Sequence, residues 1–124
     1  MKIPEVVQLI GHRIIVNKQN TVDLDGDPCF GIAVYNSDAI LIARNIDGVE
    51  VCESVEAETF LHELIHHISN AGAISLKENQ VMFLARCLLT VTRENNIDWL
   101  DKTRDISDTK TDEELCQKNI QNIT

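Results

Sequence analysis

The run His62-Glu63-Leu64-Ile65-His66 places two imidazoles four residues apart, with a carboxylate beside the first. On an α-helix, positions i and i+4 lie one above the other, about 6 Å apart along the axis, so both rings can converge on one ion. Zinc takes such nitrogens at about 2.0–2.1 Å. Glu63 is turned by about 100° from His62, too far round to share the ligand face but placed to reach a water held by the ion. Zinc lowers the pKa of such a water toward about 7, and a neighbouring carboxylate can take its proton and pass it to a leaving amine. The spacing therefore predicts a zinc cofactor at His62 and His66, with Glu63 as general base for hydrolysis of a peptide bond.

Two imidazoles do not complete a catalytic zinc site, which takes three protein ligands and keeps one position open. The other donors are His12, His67, the cysteines and the downstream carboxylates. His67 is turned by about 100° from His66 and is expected at the surface or behind the ligands. Glu78 opens a second helical segment on the stripe that carries Val81, Met82, Ala85, Leu88 and Leu89, so it faces the first helix. A carboxylate aimed at a packed interface is costly unless it is paired or metal-bound. Alternatively, Glu78 complements the helix dipole from solvent. On the residues alone both readings stay open.

Such groups need a scaffold. Apolar residues at Ala57, Phe60, Leu61, Leu64, Ile65 and Ile68 have helical spacing and predict a first helix over 54–70. Ser54 is its expected N-cap, Glu56 and Glu58 suit the dipole, and Gly72 is the expected stop. A second helix is expected over 76–95, with Val81, Leu84, Ala85, Leu88, Leu89 and Thr92 on one face. Upstream, HRIIVNK at 12–18, CFGIAVY at 29–35 and AILIA at 39–43 read as strands. The Asp-, Gly- and Pro-containing stretch 21–28 reads as a loop, with turns at 36–38 and 44–48. Short strands joined by short turns favour antiparallel pairing. The expected fold class is α+β: a small, mostly antiparallel three-stranded sheet, then two packed helices, the first carrying the His62–His66 motif. Residues 1–100 are expected as one domain and 101–124 as an acidic tail, either frayed or a short docked helix. Thr111 and Glu114 there have capping-box spacing, and Cys116, Ile120 and Ile123 follow at helical intervals.

The whole chain fits that scale. Its 124 residues, 44% apolar and 25% charged, suit a single aliphatic core. A net charge of -9 and a pI of about 4.7 oppose nucleic-acid phosphates, and 4% aromatics offer little for base stacking. Cys29, Cys52, Cys87 and Cys116 form no Cys-x-x-Cys pair and are expected as free thiols in a reducing compartment. The N-terminal stretch lacks the apolar run of a signal peptide, and no stretch is long enough for a membrane span. A cytoplasmic location is expected. The expected partner is a peptide or protein substrate, with no nucleic acid and no membrane.

Three stretches also carry a resemblance: TFLHELIHHISNA at 59–71, SLKENQVMFLARCL at 75–88 and VTREN at 91–95. They resemble small phage and prophage zinc metallopeptidases, the minigluzincins and the ImmA/IrrE-like proteins. GHRIIV at 11–16 and AILIA agree more loosely, so the resemblance covers residues 10–100 and leaves out the tail. It implies a zincin-like domain with His62, His66 and Glu78 as zinc ligands and Glu63 as catalytic base. It further implies that AILIA is the edge strand beside the cleft, along which an extended substrate lies antiparallel. Larger gluzincins add a Tyr, His or Arg that stabilises the oxyanion, and Tyr35 and His67 are the candidates for that role here.

The leading expectation is thus a zinc-dependent peptidase. The alternative is a zinc-binding regulatory or protein-interaction module with weak or no catalysis. In it the open metal position is filled by Cys29, Cys52 or Asp105, or blocked by the tail.

Overall fold

The computed structural model describes residues 1–97. The tail 101–124, with Asp105 and Cys116, lies outside the described residues. In chain order come β1 (Val6–Leu9), β2 (His12–Gln19), a ribbon of β3 (Asp23–Leu24) and β4 (Asp27–Pro28), then β5 (Gly31–Val34) and β6 (Ala39–Ala43). A second ribbon, β7 (Asn45–Ile46) and β8 (Val49–Glu50), leads into α1 (Glu53–Ala71) and α2 (Glu78–Glu94).

The α+β class holds, but the sheet is not the antiparallel three-stranded one expected. It has four strands in the order β1-β2-β6-β5. β1 pairs antiparallel with β2, and β5 antiparallel with β6, whereas β2 and β6 run parallel from Ile15↔Ala39 to Gln19↔Ala43. Two causes account for the difference. The Val6–Leu9 stretch alternates so that Val7 and Leu9 pack against the core, which adds β1. The chain also leaves β2 for a long excursion, so the β5–β6 hairpin returns with β6 in the inner slot and β5 outermost. AILIA is therefore an inner strand, and the edge strand beside the helices is β5.

Three hairpin turns explain the strands that the Asp- and Gly-containing stretches conceal. Ile10-Gly11, Asp25-Gly26 and Asp47-Gly48 all have positive φ at both residues. That geometry matches the twist of flanking strands in a two-residue hairpin, so the expected loop at 21–28 contains a ribbon instead.

One sheet face meets α1. Ile14, Val16, Ile40 and Ile42 pack with Phe60, Leu61, Leu64 and Ile65, and α2 adds Val81, Ala85 and Leu89. Each such side chain contributes roughly 1.5–3 kcal/mol when fully buried, so this cluster fixes how α1 lies on the sheet.

The helices begin and end close to their expected limits, with informative shifts. α1 starts at Glu53, with Cys52 as N-cap, and the Ser54 hydroxyl accepts a hydrogen bond from Arg93 at the far end of α2 (2.7 Å). Ser54 thus ties the two helices together and does not cap. At the other end Gly72 is the C-cap in a right-handed conformation, and the left-handed residue is Ala73 (φ 51°). Ile74 N–H bonds Ser69 O and Ala73 N–H bonds Asn70 O, the paired closure of a Schellman turn. α2 opens with Gln80 Oε1 accepting the Lys77 N–H at 2.8 Å. That cap sets the first helical turn and with it the direction of Glu78. No helix among the described residues is long and apolar enough to cross a membrane.

Candidate metal centre

Three side chains from two helices meet at one point. His62 and His66 stand one turn apart on α1, and their Nε2 atoms are 3.2 Å apart. Glu78, the first residue of α2, reaches back with Oε1 2.7 Å from His62 Nε2 and Oε2 3.2 Å from His66 Nε2. One donor atom from each of the three lies within 4.8 Å of the others.

The donor set suits zinc. Two imidazole nitrogens and one carboxylate oxygen are a common catalytic zinc set. Two ligands at about 2.0–2.1 Å in a tetrahedral arrangement lie about 3.3 Å from each other. The two 3.2 Å separations already match that spacing. The 2.7 Å contact is tighter, and Glu78 is free to adjust because its side chain is 64% exposed. Cys29 and Cys52 do not join the cluster among the described residues.

Glu63 occupies a different environment. It is buried, 8% exposed, with Oε1 4.0 Å from His62 Nε2. Burial pushes its carboxyl above the usual value. His66 opposes that rise, Glu78 adds to it, and a hydrogen bond from the Ala33 backbone N–H opposes it again. The edge strand thus holds the carboxylate beside His62, His66 and Glu78 from the sheet side.

Gly31 makes that approach possible. A Cβ there would lie 2.5 Å from Thr59 Cγ2 and 2.8 Å from Leu41 O, with Glu63 Cγ at 3.5 Å. Sequence reading passes over this residue, although a glycine inside a strand is a signal of close backbone approach. A cleft of about 480 Å³ opens here, walled by Phe30, Gly31 and Thr59 on one side and Met82 and Arg86 on the other. His62, Glu63 and Glu78 line it too. A larger cavity, about 600 Å³, lies by Met1, Lys18 and Glu56 and contains none of these groups.

His67 is not at the surface. It is 4% exposed, and its Nε2 donates to the Ala39 carbonyl of β6 at 2.8 Å. Its ring meets Tyr35 edge-on, with centroids 5.3 Å apart. Tyr35 follows β5, and its phenol is pushed up by burial and then by the charges of Glu63 and Glu78. Of the two candidate oxyanion partners, His67 has this ring nitrogen committed to the sheet, whereas Tyr35 lies within the field of both carboxylates. His12 is remote, paired through Nδ1 with Asp38 at 3.1 Å.

Comparison with protein-family models, with curated proteins and with solved structures finds no match to this chain.

Proposed function

We propose that this chain is a zinc-dependent peptidase, with His62, His66 and Glu78 holding the ion and Glu63 as general base. The observation that carries the reading is the convergence of two imidazoles and one carboxylate next to a second, buried carboxylate at the head of a cleft. When bound, zinc supplies Lewis acidity, which acidifies a water and polarises a carbonyl.

The chain's own groups do the rest. Glu63 takes the proton of the attacking water as the C–O bond forms, and returns it to the amine nitrogen so that the C–N bond breaks when the tetrahedral adduct collapses. β5 is the outermost strand of the sheet and β6 an inner one, so an extended peptide adds to the sheet at β5 and not at β6. Phe30 and Met82 supply apolar surface for a side chain of that peptide. Tyr35 is assigned to stabilise the oxyanion.

On the motif we group the chain with the small phage and prophage zinc metallopeptidases. Its free thiols Cys29, Cys52 and Cys87 fit a reducing cytoplasm.

The test is Glu63→Gln assayed on an unfolded protein such as casein. Hydrolysis is expected to fall by at least a hundredfold while zinc content stays at one per chain. Undiminished cleavage in that variant overturns the role of Glu63.

A further inference from the structure

The cleft extends from the three converging side chains in one direction. Glu63 bonds the Ala33 N–H, so the centre stands level with Ala33, whereas the sheet lines the cleft with Phe30 and Gly31, before that point in the chain. The helices agree: Glu58 lies one turn before His62 on α1, and Arg86 two turns after Glu78 on α2. Antiparallel pairing is the better bonded of the two ways a peptide can join β5. Laid so, a peptide runs from the Val34 end toward Phe30 and sends into the cleft the residue just after the scissile bond.

The cleft has apolar walls and ends in a closed charge pair. Phe30 and Met82 face it 49% and 42% exposed, and Val55 of α1 joins them. Thr59 donates its hydroxyl to the Val55 carbonyl at 2.7 Å and turns its methyl toward Gly31. At the far end Arg86 Nε donates to Glu58 Oε1 at 2.8 Å, bridging α2 to α1. Among the described residues Arg86 is engaged through Nε alone, so both terminal amino groups of its guanidinium remain open to another acceptor.

That pair sets the charge of the cleft. Glu58 and Arg86 cancel, and a bound zinc ion would cancel Glu63 and Glu78 with its two charges. A substrate lysine entering here competes with Arg86 for Glu58, and a substrate glutamate competes with Glu58 for Arg86. Either leaves one charge without its partner against apolar walls, which is costly. An uncharged side chain leaves the pair intact and covers Phe30 and Met82.

We propose that the Glu58–Arg86 pair is a charge filter, the element that determines specificity by excluding both acidic and basic residues directly after the scissile bond. The inference rests on the peptidase reading and narrows its substrate class to peptides uncharged at that position. Each partner also masks a preference that the other would express alone. Glu58→Gln frees Arg86 and turns the cleft toward acidic residues, and Arg86→Gln frees Glu58 and turns it toward basic ones.

Three fluorogenic peptides that differ only after the scissile bond, carrying Leu, Lys or Glu there, test the filter. Wild type is expected to favour Leu about tenfold in kcat/KM over either charged peptide. The ratio of Glu to Lys is expected to rise about fivefold or more in Glu58→Gln and to fall by as much in Arg86→Gln, as for one charge gained or lost at contact distance. Fluorescence anisotropy of the same sequences on zinc-loaded Glu63→Gln, alone and with each substitution, is expected to give the same order without turnover. A wild-type chain that takes Lys or Glu as readily as Leu overturns the proposal. So do variants in which all three peptides change alike, as a merely structural pair would produce. Should no peptide be cleaved while zinc is bound, the peptidase reading fails; the anisotropy order then upholds the filter if charged peptides bind weakest and overturns it if binding is uniform.

Discussion

Gly31 sets how near the edge strand stands to Glu63, and the tolerance there is small. A methyl group at this position meets Thr59 and the Leu41 carbonyl inside 3 Å. Gly31→Ala is expected to cost about 1–3 kcal/mol through overpacking, read as a lowered denaturation midpoint with an unchanged m-value. A fall in hydrolysis beyond that loss is expected too, since the same shift moves the Ala33 N–H away from Glu63. Tyr35→Phe isolates the phenol: kcat is expected to fall about a hundredfold with KM little changed, as for loss of an oxyanion donor. An equal rise in KM would mean that the hydroxyl serves binding only. His62, Glu63 and His66 were legible in the sequence because their relation is local, four residues along one helix. Glu78 was legible in part, since its position on the helix stripe is periodic but its partner is a tertiary matter. Gly31 was not, because the constraint comes from Thr59, which only the packing of α1 brings near.

Among the elements, the turns store strain that simple substitutions relieve. Ile10 sits at φ 41° and is 84% exposed, a β-branched residue in a conformation that suits asparagine or glycine. Ile10→Asn is expected to stabilise the β1–β2 hairpin by about 1 kcal/mol, seen as a higher melting temperature. No change there would show that the turn relaxes at no cost. Ala73, left-handed at φ 51°, gives the same kind of site at the end of α1. Both helices could be read from periodicity to within two residues at each end, because amphipathic spacing over five turns is a strong signal. The strands were read less completely. β1 is only four residues long and is set by the Ile10-Gly11 turn, and the parallel β2–β6 pairing depends on the path of a connection that local sequence does not encode. That same path moved the cleft edge from β6 to β5.

At the scale of the molecule, the sheet and α1 form a platform on which α2 delivers Glu78 to His62 and His66, so the proposed metal site would couple ion binding to helix packing. On the proposed reading, an ion held by His62, His66 and Glu78 would bridge α1 and α2 only when both are docked, and would therefore stabilise the folded chain. At free zinc one hundred times the dissociation constant the gain is about 2.7 kcal/mol, and a chelator is expected to lower the melting temperature accordingly. Zinc titration by competition with a chromophoric chelator tests the centre most directly, comparing wild type with Glu78→Gln. One zinc per wild-type chain is expected, with affinity reduced about a hundredfold or more in the variant, beyond what losing a mere supporting contact produces. A wild-type chain that binds no zinc, or a variant that binds it as tightly, would contradict the account.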